Sequence, residues 1–244
     1  MTKSIYLMAA SAAAIMASPA LAQSQNVSMS GIVVEYSGDV TGDGDFSGAT
    51  VKVNGSFGGD LEVSGAAAEI NADVGDDLEA SGGAVELAGS VGGDADISGG
   101  AIDFDLRVAG RSLISGGAID VASTSVFSDD VEINVGALDF GGHAMAGLDI
   151  DFGDMEFSGS ADEAVRFRGD SREGLFRRRD RSEIEISGVL QAGGEICAHE
   201  VRFLPGAEVN GPLTVRADEE PEYASGFDAA NVTFVDRDGE RCRD

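Results

Sequence analysis

Residues Ser47 to Ser64 read Ser-Gly-Ala-Thr-Val-Lys-Val-Asn-Gly-Ser-Phe-Gly-Gly-Asp-Leu-Glu-Val-Ser. The stretch ends on the dipeptide that opened it, because Ser64 is followed by Gly65. Ser47-Gly48, Ser64-Gly65, Ser81-Gly82, Ser98-Gly99 and Ser115-Gly116 recur every 17 residues. Val40, Phe57, Val74, Val91 and Val108 keep the same period, as do Tyr36, Val53, Ile70, Leu87, Phe104 and Val121. Three columns with one period are the signature of a repeat architecture, whose units bury their apolar faces only by stacking. Val51-Lys52-Val53 and Asp60-Leu61-Glu62-Val63 alternate apolar with polar, the period-2 mark of a half-buried strand. Gly58-Gly59 and Ser64-Gly65 fall between these runs, where bends with positive φ are expected.

The inward residues Val51, Phe57, Val63 and Ala68 are spaced by 6, 6 and 5, one full period of 17. One inward anchor per side predicts a three-sided coil. The expected fold is all-β, a single-stranded triangular parallel β-helix (solenoid) with rungs of about 17 residues. Copies on adjacent rungs would pair at about 4.8 Å. The spacing does not give its handedness.

The regular part runs from about Gly31 to Phe140, and at Val121 to Phe140 the step becomes 19. Gly141 to Gly147 reads as a loop. The motif returns at Asp154–Gly159, at Ile184–Gly188 and in the group from Val201 to Phe234. These read as further rungs of the same coil, with a separate second solenoid as the alternative. The expected organisation is 1–22 signal peptide, 23–159 regular β-helix, 160–183 Arg-rich loop, and 184–244 C-terminal rungs with a disulfide-tied tail.

The opening segment is read as an address. Lys3 supplies a positive start, Ile5 to Ala17 an apolar core, and Ala20-Leu21-Ala22 a small-x-small cleavage site. The apolar run is short for a bilayer span, and no later stretch approaches 18 apolar residues. The expected location is the bacterial periplasm or cell surface. Cys197 and Cys242, the two cysteines, are then most simply one disulfide. Closing about 45 residues contributes about 4 kcal/mol in the chain-entropy model. Cys197 with His199 is too small a ligand set for a metal.

A resemblance adds to this. Gly55 to Ser64 and its copies, and Val201 to Val215, resemble the rungs of bactofilins, the polymer-forming β-helix proteins. The resemblance implies a right-handed triangular β-helix that joins end to end. A leader, a disulfide and an Arg-rich interruption depart from that pattern and point away from an intracellular cytoskeletal role. Exported adhesin-like solenoids with Gly-Asp rungs are a second group the chain is similar to.

Charge narrows the function. Lys plus Arg number 16 against 44 Asp plus Glu, a formal net charge of −28. Nucleic acid needs a basic surface and is excluded as a partner. The register stacks the acids into columns: Asp43, Asp60, Asp77 and Asp94; Asp45, Glu62, Glu79 and Asp96; Glu69, Glu86, Asp103 and Asp120, preceded by Lys52. The first two columns are expected on one face. Unit charges at that spacing repel by about 1 kcal/mol in water. The ladders are candidate sites for a divalent cation such as calcium, or a solvated face that keeps the coil from pairing laterally. Seven Arg cluster between 166 and 181: Arg166, Arg168, Arg172, Arg177, Arg178, Arg179 and Arg181. They are a candidate loop for an acidic ladder, for anionic lipid or for an envelope polysaccharide. His143 and His199 stand beside no recognisable nucleophile motif, and no HExxH, P-loop or dinucleotide fingerprint is present. The expectation is a non-enzymatic structural or self-assembling envelope protein without cofactor. A cation- or polysaccharide-binding module is the alternative.

Overall fold

The computed structural model describes residues 26–169, 182–238 and 240–242. The expected leader, 1–22, lies outside them. The described chain is all-β: one continuous parallel sheet wound into a β-solenoid of about twelve turns. Five long strands open it, β1 (Val27–Val40), β2 (Gly44–Phe57), β3 (Leu61–Val74), β4 (Leu78–Val91) and β5 (Ala95–Val108). Each is one rung, paired residue for residue with the next at a step of 17. From β6 (Ser112–Val121) onward the rung divides. β7 (Val126–Phe127), β8 (Val131–Phe140) and β9 (His143–Ala144) lead into turns of three short strands.

The later turns show the three sides directly. On the first, β10 (Leu148–Phe152), β13 (Val165–Gly169), β16 (Gly194–Ala198), β19 (Leu213–Ala217) and β21 (Val232–Asp236) stack in order. The second carries β11 (Asp154–Phe157), β14 (Glu183–Ile186), β17 (Glu200–Phe203) and β20 (Glu222–Tyr223). The third carries β12 (Ser160–Ala161), β15 (Val189–Leu190) and β18 (Glu208–Val209). The chain is thus one solenoid throughout its described residues, with no second, separate coil.

Alternation is why parallel strands fold here with one face wet. Most parallel sheets are covered on both faces and read as continuous apolar runs. Here β3 alternates buried and exposed residues along each side. Val51, Phe57, Val63 and Ala68, the four expected anchors, are all at most 4% exposed. Inward columns stay apolar, with few exceptions. Phe140 lies directly under Phe157 in one column, 5.4 Å away and nearly parallel, while Phe127 and Phe167 enter from the other two sides and meet the rings of Phe104, Phe140 and Phe157 across the core. Such offset contacts add to the area each ring buries.

Three expectations change. Ser64-Gly65 is no break: β3 runs through it, because each corner pairs with the corners above and below. Gly58, Gly59 and Gly65 do not take positive φ either. Glycine is needed there for room. A Cβ on Gly65 would stand 2.9 Å from the Gly48 carbonyl oxygen, and one on Gly59 2.0 Å from Asp43 Oδ1. Finally, Gly141–Gly147 is not a plain loop, since β9 pairs with β7 below and β12 above.

The irregular steps have local causes. Val121 pairs with Phe140, a step of 19. The two extra residues fall in a turn closed by Ser125 N–H on the Ala122 carbonyl, with Ser125 Oγ donating to the Phe104 carbonyl. The expected loop at 160–183 is narrower than its bounds, because β12 and β13 are rung strands. Val165 pairs with Gly194, 29 residues on; removing the twelve residues 170–181 leaves 17. Gly169 and Ser182, which flank those twelve, are packed against each other.

One core position is imperfect. Ser112 occupies the inward column of Leu61, Leu78, Ala95 and Val131. It is fully buried and its hydroxyl has no hydrogen-bond partner. A buried unpaired hydroxyl costs about 1–3 kcal/mol. Ser112→Ala should therefore raise stability by about 1 kcal/mol, a rise of about 2–4 °C in Tm for a chain of this size. Thermal unfolding followed by circular dichroism checks it.

Candidate functional site

The outward columns are the candidate site, and the register fixes what each side chain meets. Asp43, Asp60, Asp77 and Asp94 stand at the corner before the first side. Each turns its Oδ1 along the coil axis onto the backbone of the next rung. Asp43 accepts the Asp60 N–H at 3.2 Å, Asp60 that of Asp77 at 3.1 Å, Asp77 that of Asp94 at 2.8 Å, and Asp94 that of Arg111 at 2.8 Å. Asn26 fills the same position at the first rung and accepts the Asp43 N–H. These aspartates are exposed, like the column two residues on, while one carboxylate oxygen of each is engaged by backbone. A carboxylate at this corner satisfies an N–H that no strand pairing reaches. Gly59, Gly93 and Gly110 each leave space for the aspartate of the rung before, which explains the recurring Gly-Asp pair.

The second column, Asp45, Glu62, Glu79 and Asp96, is exposed on the first side. Counted at a step of 17, the two columns end at Asp94 and Asp96, because Arg111 and Leu113 take the next places. The structure resumes them after the two-residue slip, with Asp130 accepting the Gly147 N–H and with Glu132 and Asp149 on the second line. Arg166 then enters that line directly above Asp149, at 3.2 Å. Arg168 reaches Asp149 at 2.8 Å and Asp151 at 2.6 Å. These two arginines are therefore rung residues of β13, not loop residues. Arg172, Arg177, Arg178, Arg179 and Arg181 lie outside the described residues.

The third column is longer than its repeat suggested. It reads Glu35, Lys52, Glu69, Glu86, Asp103, Asp120, Asp139, Glu156, Glu185, Arg202 and Glu222 along the second side. Lys52 pairs with Glu69 near one end. Arg202 pairs with Glu183, Glu185 and Glu200 near the other. Between them runs an open groove of about 470 Å³, floored by Ala101, Ala118, Ala137 and Met155 and edged by Asp103, Asp120 and Asp139. Burial, reinforced by the Asp120 charge, pushes the Asp139 carboxyl above its ordinary range. A fourth line alternates acid with hydroxyl: Ser56 Oγ donates to Asp39 at 2.8 Å, and Ser90 Oγ to Asp73 at 2.6 Å.

Cys197 and Cys242 stand at disulfide-bond distance, 2.06 Å between sulfurs, closing 45 residues. Beside them is a cluster the sequence did not announce. Arg237, 3% exposed, donates to both oxygens of Asp218 at 3.0 and 2.5 Å and to Cys242 Sγ at 3.3 Å. His199 Nδ1 meets Asp218 at 2.7 Å. His199 is thus engaged by a carboxylate rather than aimed at the sulfurs. His143 Nε2 lies 3.0 Å from Asp162, on another side of the coil. Among the described residues, no three His, Cys, Asp or Glu side chains converge as a metal-ligand set. No helix among them is long and apolar enough to cross a membrane.

No protein-family model, curated protein or solved structure matches the chain. Ladder bonds, corner bonds and cross-rung ion pairs account for most of its outward charge. Glu86, Asp103, Asp120 and Asp139 on the second side, and Glu62, Glu79 and Asp96 on the first, form no side-chain hydrogen bond or ion pair with another described residue.

Two measurements separate these roles. Asp77→Ala removes the acceptor for the Asp94 N–H and should cost about 1 kcal/mol. Asp77→Asn keeps an acceptor, as Asn26 does, and should be near neutral because it also removes like-charge repulsion. Chemical denaturation of the two variants distinguishes a backbone acceptor from a charge kept for a ligand.

The Asp218 cluster predicts an acid response. Hydrogen bonds from Arg237, aided by His199, hold the Asp218 carboxyl down to about 2, against an ordinary 3.8. Its contribution is then complete above about pH 4 and is lost as pH falls from 4 towards 2. The Tm difference between the native chain and Arg237→Met should shrink over that interval.

Proposed function

We propose that this chain is a non-enzymatic structural protein of the bacterial envelope that works by self-assembly or surface contact. The observation that carries the reading is the continuous hydrogen-bonded ladder through about twelve turns, whose 14-residue first strand, β1, has no strand on its outer edge among the described residues. A parallel ladder is extended by whatever strand next meets that edge, and open edges are templates for further copies. The bactofilin-like rungs at Gly55–Ser64 and Val201–Val215 support the same reading. The leader-like segment 1–22 and the cysteine pair Cys197–Cys242 support export, because such pairs persist in oxidising compartments.

The cation-binding alternative draws on one specific feature, the groove on the second side. Lys52 and Arg202 neutralise the acidic line near its ends, and Asp103, Asp120 and Asp139 form no ion pair with another described residue. A mobile cation there would offset the repulsion along the line. The Asp43 column fits that role less well, since each of its carboxylates already accepts a backbone N–H.

Two experiments test these readings. Twelve rungs at about 4.8 Å make a rod of roughly 55 Å. Electron microscopy should show particles longer than one such rod, and osmotic-shock fractionation should release the chain, cleaved before Gln23, with the envelope contents. Single short rods in the cytoplasmic fraction would refute the reading. Calorimetric titration with calcium tests the alternative: binding heat lost in Asp120→Asn supports it, and no heat removes it.

A further inference from the structure

The two ends of the solenoid are chemically different, and the difference bears on how far assembly goes. At the first rung, β1 presents a single 14-residue edge whose outer backbone groups meet no strand among the described residues. The charged lines relax there. Asn26 stands in the Asp43 column and Ser28 in the Asp45 column, and Lys52 lies directly on Glu35 in the third. The same rung carries large apolar side chains where later rungs have small ones. Ile32 and Val33 are 82% and 63% exposed, and the corresponding positions hold Ala66-Ala67, Gly83-Ala84, Gly100-Ala101 and Gly117-Ala118. Val27, Met29 and Tyr36 at this end are only partly buried.

The other end offers no matching template. Its three sides stop on strands of different length, the five residues of β21 and the two each of β18 and β20. Asn231 Nδ2 donates to the Val209 and Asn210 carbonyls, which occupies the edge above β18. Phe203, Tyr223 and Phe227 stack over the core of the second side at 4.7–5.5 Å. The tail folds back to Cys197 and cannot leave without breaking the disulfide. The acids of this end, Asp218, Glu219, Glu220, Glu222, Asp228, Asp236, Asp238 and Glu240, outnumber the cations set among them: Arg202 reaches Glu222, Arg216 pairs with Glu240, Arg237 pairs with Asp218, and Arg241 lies beside Glu240 in the chain.

We propose that two copies join head to head through β1 and that assembly closes at two. The inference rests on the self-assembly reading and sets its limit. A contact made by the same edge of both partners is isologous, so pairing consumes both edges and leaves none for a third copy. A two-fold axis across the edge brings the strands together antiparallel, a pairing at least as favourable as the parallel one inside the coil. Because Asn26 and Ser28 stand where the next four rungs carry acids, the junction avoids carboxylate-on-carboxylate contact in those two columns; the acids β1 keeps are Glu35, which lies on Lys52, and Asp39, which accepts from Ser56 Oγ. Ile32 and Val33 of each copy then form an apolar rim around it.

Multi-angle light scattering on the full chain as recovered from an expressing host, over a hundredfold range of concentration, tests this. The expected mass is twice 24.9 kDa, less any cleaved leader. Ile32→Glu with Val33→Glu, at exposed positions, should halve that mass, while Val235→Glu at the other end should leave it unchanged. Circular dichroism confirms that each variant is folded. A pair that survives the first variant, or is lost in the second, overturns the proposal. Masses that climb past two copies overturn the closure but leave self-assembly standing. One copy at every concentration overturns both.

Discussion

The constraint on which this structure depends is in-register stacking. Every side chain sits about 4.8 Å from its counterpart one rung away, so the sequence must tolerate each residue beside a near copy of itself. For apolar residues this is favourable. Val, Ile, Leu and Phe fill the interior because like shapes nest; Phe140 on Phe157 is the direct case, and Phe104, Phe127 and Phe167 close on them across the core from neighbouring rungs. For glycine it is a demand, because backbone approaches backbone at the corners and a Cβ has nowhere to go. For acids it is a cost that recurs on every rung.

The chain meets that cost in three distinct ways. The Asp43 column turns its carboxylates onto backbone N–H groups of the following rung, exchanging repulsion for a corner hydrogen bond. The Asp39 line interposes serine hydroxyls, so acid meets donor rather than acid. Lys52, Arg166, Arg168 and Arg202 enter acidic lines as single cations among carboxylates. On the second side between Glu86 and Glu156 none of these devices operates among the described residues. Asp139 shows the consequence, its carboxyl pushed upward by burial and by Asp120.

How much of this the sequence disclosed follows from the same constraint. Period, strand alternation and the four inward anchors were legible because identical columns repeat without interruption from Gly31 to Val121. The acidic lines were legible over the same range. Their continuation was hidden by two residues: the slip between Val121 and Phe140 moves Asp130, Glu132 and Asp139 out of simple counting. Corner glycines were misread because the sequence carries no mark distinguishing a positive φ from a crowded Cβ; only the neighbouring rung decides. Arg166 and Arg168 looked like part of one basic loop because composition ignores register, yet Phe167 between them alternates inward as any rung residue does. The Arg237–Asp218–His199 cluster joins residues 19 and 38 apart, one and two of the longer C-terminal steps. It becomes visible only once the step of 19 is known.

Charge and edge act together at the level of the whole particle. A net charge of −28 spread along a rod opposes side-by-side approach wherever two flanks come within the Debye length, about 8 Å at physiological salt. The flanks are therefore poor contact surfaces for a second copy, and cross-rung devices that neutralise single acids do not change their sign. The backbone edge at β1 is different in kind. Its attraction is directional, made of N–H and C=O groups that meet no strand among the described residues, and two of its outward columns carry Asn26 and Ser28 where the next rungs carry acids, Glu35 and Asp39 keeping the other two acidic. In the proposed head-to-head pairing, the same repeat that loads the flanks with like charge leaves the terminal rung as the surface where strand hydrogen bonds meet fewer carboxylates. Added salt should weaken the discrimination from the flank side first, because screening acts on the separated charges of two rods and barely on hydrogen bonds at contact.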